Sequence, residues 1–248
     1  MTTSGSYTFN PSLGELVLYA YNSIGIRNTS LLQEHMMTAR MATNMMLSRW
    51  SNQGVNLWRV DLVTVPLVEG QSVYAVNPST VVILDAYVTI DNGTGLPIDR
   101  IILPVSRTEY ASFPNKEQQG FTTTFWFDRL TSGTDMIGPG SSQSPVVTGP
   151  QVTLWPVPDG SSAQYLKYYR VVQAQTADYS NAQTVDIPFL WMEAFADGLA
   201  FRLAKIWNPQ IAPALKAMAD ESYQIAADQN IETAQQYISP QLSGYFRP

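Results

Sequence analysis

The 248-residue sequence contains no cysteine and a single histidine. Without cysteine there is no disulfide, no thiol nucleophile and no thiolate metal site. One histidine rules out histidine-cluster metal centres, and any Ser-His-Asp relay would have to run through His35. Charged side chains are also scarce, at 14% against roughly 25% in an ordinary globular domain. Lys and Arg number 14 and Asp and Glu 20, for a net charge of −6. That sign opposes nucleic-acid wrapping, which needs clustered cations to displace phosphate counterions. No run approaches the ~18 apolar residues of a membrane helix. The start, MTTSGSYTFNPSLGE, lacks the basic and apolar stretches of a secretory signal. The Asn-x-Ser/Thr triplets at Asn28 and Asn92 therefore carry no expectation of glycosylation, and a cysteine-free chain suits an intracellular protein or a particle assembled in a cytoplasm.

What is present is an apolar share of 45%, enough for a sizeable core, under a surface rich in Gln, Ser, Thr and Asn. A surface so thinly charged is expected to meet other protein over much of its area. The periodicity divides the chain into helix, sheet and helix, an α+β class. Residues 1–55 carry two helices. Asn10-Pro11 is expected to open the first, with Leu13, Leu16, Val17, Ala20 and Ile24 at helical spacing and Gly25 at its end. Ser30 and Gln33 read as a capping box for the second, whose stripe is Met37, Met41 and Met45, flanked by Leu47 and Trp50.

Residues 56–185 switch to a period of two. Trp58, Val60 and Leu62 are expected on one face with Arg59 and Asp61 opposite, and Glu69-Gly70 reads as a hairpin turn. Val82, Leu84, Ala86, Val88 and Ile90 form the face of a longer strand, turned back at Asp91-Asn92-Gly93. With further strands at 125–130, 152–155 and 165–172, the middle reads as about seven strands joined mainly by hairpins, an antiparallel β-sandwich or meander. A Gly/Pro-rich loop at 131–150 leaves the hairpin before Val152. Residues 186–248 return to helix. Met192, Phe195, Leu199, Leu203 and Ile206 mark one stripe, Ile211, Leu215, Met218 and Ile225 a second, and an extended arm follows from about Gln229. The terminal helices are expected to form one bundle with the sheet inserted between them.

Few residues point to chemistry. His35 lacks the second histidine of a helical zinc motif and reads as a helix-surface or interface residue. The methionines suit adaptable packing between helices or subunits. Asp85, Asp99 and Asp128 could pair as glycosidase acids only if the fold brought them together. Trp58, Trp126, Trp155, Tyr165, Tyr168 and Tyr169 could form a sugar-stacking face or a core, so a carbohydrate-binding β module stands as an alternative function. No cofactor or metal site is expected. Charge is uneven: residues 1–55 hold three basic and two acidic groups (+1), 56–185 seven and eleven (−4), and 186–248 four and seven (−3). In a ring around DNA such acidity would repel phosphate and let the duplex slide.

Several runs together resemble the head-to-tail adaptors (connectors) of tailed bacteriophages, most nearly the tail tubular protein A-like adaptors of short-tailed phages. They are RMATNMMLSRWSNQGVNLW (40–58), ILDAYV (83–88), LPVSRTEYASFPNKEQQG (103–120), FWFDRL (125–130), LWPVPD (154–159), YLKYYRV (165–171) and IPFLWMEAFADGLAFRLA (187–204). The resemblance spans about residues 12–210. It implies a structural virion protein without enzymatic activity: a twelve-copy homo-oligomeric ring at the head–tail junction, between portal protein and tail nozzle protein. Such a ring carries the DNA channel for genome ejection, without reading sequence, and offers attachment sites to tail fibre protein. It implies a portal-contact arm including Gln229, Tyr237, Ile238, Leu242, Tyr245 and Phe246. The loop residues Met136, Ile137, Pro139, Val146 and Val147 are candidate partner contacts. No membrane partner is expected.

Overall fold

A computed structural model describes residues 5–6, 9–54, 57–91, 93, 96–129, 149–178 and 183–230. Among them are five α-helices and one seven-stranded sheet, an α+β fold. The chain divides into two units, one made of residues 1–43 with 178–248 and the other of residues 44–177. The division falls inside helix α2.

In the first unit, α1 (Leu13–Ser23) starts two residues later than Asn10-Pro11 suggested. Ser12 is the N-cap: its hydroxyl accepts from the Glu15 N–H (3.3 Å), and the Glu15 carboxylate accepts from the Ser12 N–H (2.8 Å). This reciprocal pairing satisfies two helix-end donors, which Asn10 could not do from outside the first turn. Leu13, Leu16, Val17, Ala20 and Ile24 are all buried, and Gly25 follows in the left-handed region (φ 87°). Helix α2 (Gln33–Asn52) begins beyond a 3-10 turn at Asn28–Ser30. Ser30 does not cap it, because its hydroxyl turns back to the Arg27 carbonyl at 2.7 Å. The His35 Nδ1 instead accepts from the Leu32 N–H at 3.1 Å.

The stripe on α2 also differs from expectation. His35, Ala39, Thr43, Met46, Leu47 and Trp50 are buried, whereas Met37, Met41 and Met45 are 59–66% exposed. Helices α4 (Met192–Trp207) and α5 (Ala212–Asp228) pack on each other and α1 packs on α4. On α4 the expected Phe195, Leu199 and Leu203 are buried together with Ala196, Ala200 and Ala204, while Ile206 is exposed. On α5 the buried positions are Ala212, Ala219 and Ala226, and the larger Met218 and Ile225 face outward. Helices that approach closely bury small residues and turn bulky ones aside, so side-chain size misleads a stripe reading here. Pro213 sits in the first turn of α5, where its missing N–H costs nothing.

In the second unit the strands are β1 (Val60–Pro66), β2 (Val73–Ala75), β3 (Thr80–Asp91), β4 (Ile98–Pro104), β5 (Thr124–Asp128), β6 (Gln151–Trp155) and β7 (Ala163–Val172). Their order is β1-β7-β3-β4-β5-β6-β2. All pairs are antiparallel except β4 with β5, which run parallel through Leu103–Thr124 and Pro104–Phe125. Helix α3 (Arg107–Ser112) lies between these two strands in sequence. The sheet curls around its own core: Tyr74, Ile83, Val88, Ile102, Phe125, Leu154 and Leu166 come from six strands and cluster with Val63 and Val65 of β1.

The hairpin expectation holds for β3–β4 and β5–β6, which pair antiparallel; after β3 the Gly93 N–H donates to Asp91 Oδ1 at 2.9 Å, and Asn92 and residues 131–148 lie outside the described residues. It fails at Glu69-Gly70, because β1 and β2 occupy opposite edges of the sheet. Two faces are also shifted. On β1 the core face is Val63 and Val65 while Leu62 is exposed, and Arg59 is buried, its Nη1 donating to Ser51 Oγ at 3.0 Å. On β3 a register shift between Ile83 and Ala86 puts Ile83 on the same face as Ala86 and Val88. A bulge adds a residue and reverses the alternation.

Candidate interaction surfaces

His35, the only histidine, belongs to the helical core. Its ring stacks on Trp207 (centroids 4.1 Å, 20°) and meets Tyr21 edge-on at 5.6 Å, and the Tyr21 hydroxyl donates to the His35 carbonyl at 2.5 Å. It is buried, not a surface or interface residue, and with Nδ1 already accepting it has a structural task. Burial pushes the Tyr21 phenol up to about 12, partly offset by the Trp207 indole. Among the described residues no group of three or more His, Asp or Glu is arranged to hold a metal. Asp85 and Asp128 lie on β3 and β5, and Asp99 on β4 accepts from the Thr89 hydroxyl at 2.6 Å.

The aromatic residues split into separate groups. Trp155 stacks on Phe113 (4.2 Å, 24°) and Trp126 on Tyr110 (5.5 Å, 23°), so these indoles hold α3 and the segment after it against β5 and β6. The Trp155 Nε1–H donates to the Asn115 carbonyl at 2.9 Å. Tyr168 is in the core. Tyr165 and Tyr169 emerge on the opposite face of β7, where Tyr169 approaches Tyr87 of β3 at 6.5 Å and the Lys167 ammonium lies 5.8 Å from the Tyr87 ring. Burial pushes the Tyr87 phenol up, assisted by Tyr169 and Asp99.

That outer sheet face carries exposed apolar side chains. Ile101 pairs with Tyr87 and is 81% exposed, Leu103 is 63% exposed, and Leu62 stands opposite Tyr169. The available signal was the run Ile101-Ile102-Leu103, apolar on both parities of one strand. A strand wetted on one face alternates, so an apolar outer parity marks a face meant for contact. The exposed methionines of α2 make a second apolar face of adaptable side chains. In the helical unit, Phe9, Tyr19 and Met218 line a groove of about 550 Å³ together with Glu15, Glu193 and Asp197. Of the expected arm, Gln229 caps α5 and is exposed. Tyr237, Ile238, Leu242, Tyr245 and Phe246 lie outside the described residues, as do Met136, Ile137, Pro139, Val146 and Val147. No helix among the described residues is long and apolar enough to cross a membrane.

No curated protein matches the chain. A family model described as SU10 adaptor protein matches residues 30–243, which takes in both units. A match over most of the chain, to a family whose members are virion components that join other virion proteins, accords with three exposed apolar faces on a thinly charged surface. The chain belongs to the SU10 adaptor protein family, a family of bacteriophage adaptors.

Proposed function

We propose that the protein is the head-to-tail adaptor of its phage, resembling the tail tubular protein A-like adaptors of short-tailed phages. It forms a ring, taken as twelve copies, between portal and tail nozzle, assembles in the host cytoplasm, and acts by assembly without a reaction. The ring carries the DNA channel for genome ejection, and tail fibre protein attaches to its outer side. The observation that carries this reading is the family match over residues 30–243; the exposed faces on β4, β7 and α2 support it as surfaces for neighbouring copies and partner proteins. On this reading residues 1–55 and 186–248 supply the helices of a bundle, 56–185 the β domain, the 131–150 loop a partner contact, and the segment from Gln229 onward the portal arm. The acidic stretch 56–248 would face a duplex that it repels, so DNA passes without being held.

The test is electron microscopy of the purified protein with its portal. A ring stacked on the portal supports the reading; a portal that stays bare at micromolar adaptor overturns it. Ile101→Glu on the outer sheet face, which leaves the strand's core side intact, is expected to reduce ring formation at least tenfold at equal concentration.

A further inference from the structure

The groove in the helical unit joins an apolar lining to a one-signed rim. Phe9, Tyr19 and Met218 are each more than half exposed, although they gather at one concavity between the start of α1 and the helices α4 and α5. Among the described residues its charged lining groups are Glu15, Glu193 and Asp197, with no Lys or Arg. Glu15 is anchored by its cap, with one carboxylate oxygen accepting from the Ser12 N–H and hydroxyl, which leaves the other oxygen for a partner. A volume of about 550 Å³ falls in the range that takes a few large side chains. The chemistry that fits is an aromatic side chain or two beside a cation.

The chain carries such a sequence at its own end. Residues 231–248, outside the described residues, contain one basic residue, Arg247, immediately after Tyr245 and Phe246. The distance allows the match. Met218 is on α5, and from there to the helix end at Asp228 is roughly 15 Å at 1.5 Å per residue. From Asn230 to Tyr245 the chain can span up to about 50 Å, ample to fold back along one helix.

We propose that the C-terminal segment Tyr245-Phe246-Arg247 docks into this groove of its own chain, the two rings against Phe9, Tyr19 and Met218 and the guanidinium against Glu193 and Asp197. The contact removes two aromatic side chains from water. It also places the arm of the adaptor reading in a stored position, from which a portal would have to draw it. That last point rests on the adaptor reading; the docking does not, and its test uses no portal.

The absence of native cysteine makes the test direct. In the full chain, Met218→Cys with Phe246→Cys puts one thiol in the groove and one on the segment. Lys216→Cys with Phe246→Cys is the control, since Lys216 is exposed on α5 and lies about 200° around the helix from Met218. Far-UV circular dichroism and thermal unfolding of the reduced proteins establish that both variants keep the fold. Under mild oxidation the groove pair is expected to form an intramolecular disulfide about tenfold faster than the control, because docking raises the effective concentration of the thiols. Arg247→Glu should remove that advantage, and Glu193→Lys added to Arg247→Glu should restore it in part. Equal rates for groove and control pairs overturn the proposal. So does a product that is mainly disulfide-linked dimer, which would assign the segment to a neighbouring copy.

Discussion

The two units are closed by different kinds of order. In the sheet unit, β1 is completed by β7, so that Asp61 meets Arg170 across more than a hundred residues and their side chains form an ion pair at 2.9 Å. In the helical unit each helix makes its own hydrogen bonds, and only the seams between helices depend on distant sequence. Strands need partners before they exist, whereas helices can form first and then choose a face. The helical unit should therefore respond to changes at its seams, and the sheet unit to changes at the turns and bulges that set register.

The largest expected effect lies in the α4 seam. Phe195 is fully buried, and Phe195→Ala should cost about 3–5 kcal/mol, read as a fall in the urea midpoint at unchanged slope. Leu166→Ala in the sheet core, with Leu166 almost as deeply buried, should cost about 2–5 kcal/mol. A core that depended on its helices alone would leave the second variant near wild type, which would break the comparison.

Next comes alkaline pH. An unfolded tyrosine ionises near 10, but the Tyr21 phenol holds its proton to about 12 in the fold. Between those values the unfolded chain binds fewer protons, so the contribution is intact below pH 10 and is lost as pH rises towards 12, by up to about 3 kcal/mol. Burial also pushes up the phenols of Tyr74 and Tyr168 in the sheet core, so both units weaken in the same direction. Tyr21→Phe should lose about 1 kcal/mol at pH 8 with the hydrogen bond to the His35 carbonyl, yet show a shallower decline up to pH 12. An unchanged decline would locate the alkaline sensitivity in the sheet unit.

What could be read from the sequence follows the same divide. The α1 stripe was legible because large apolar residues at helical spacing are there the buried ones. On α5 the rule reversed: the buried positions are Ala212, Ala219 and Ala226, and Met218 and Ile225 point away; on α2 Met37, Met41 and Met45 point away while Ala39 is buried along with Met46, Leu47 and Trp50. Small residues carry little hydrophobic signal, so such seams are nearly silent in sequence. In the sheet the strands themselves were legible, but neither their order nor the bulge at Ile83–Ala86 was, because pairing between distant strands leaves no local mark. The candidate surfaces were legible only through scarcity of charge and the methionine spacing; the outer face of β4 had to be seen in register with Tyr87.

A turn gives the next effect. Gly160 has φ 68°, and a Cβ there would lie 2.7 Å from Glu69 Oε2 and 3.0 Å from Glu69 Cβ. Both backbone preference and contact oppose a side chain, so Gly160→Ala should cost about 2 kcal/mol. Pairing it with Glu69→Ala should recover the part owed to the carboxylate and leave the backbone part together with the Cβ contact, and a thermal melt of the three variants separates them.

The smallest effect compares one device in the two units. Ser12 caps α1 and Ser106 caps α3, each accepting from the N–H three residues on, at 3.3 and 3.1 Å. Only Ser12 receives the reciprocal bond, in which the Glu15 carboxylate takes the cap's own N–H, and those bonds hold that carboxyl below its usual range. Ser12→Ala should cost about 1 kcal/mol, with α1 and its α4 seam loosened together. Its contribution is present above the ordinary carboxylate range and lost as pH falls through the lowered value, so the difference from wild type should shrink in acid. Ser106→Ala should cost about half as much. Helix α3 has only six residues, and the stacks of Tyr110 on Trp126 and of Phe113 on Trp155 hold it and the residue after it in place with or without the cap. Equal losses at the two sites would mean that α3 depends on its own hydrogen bonds as α1 does, and that the aromatic stacks follow the helix instead of holding it.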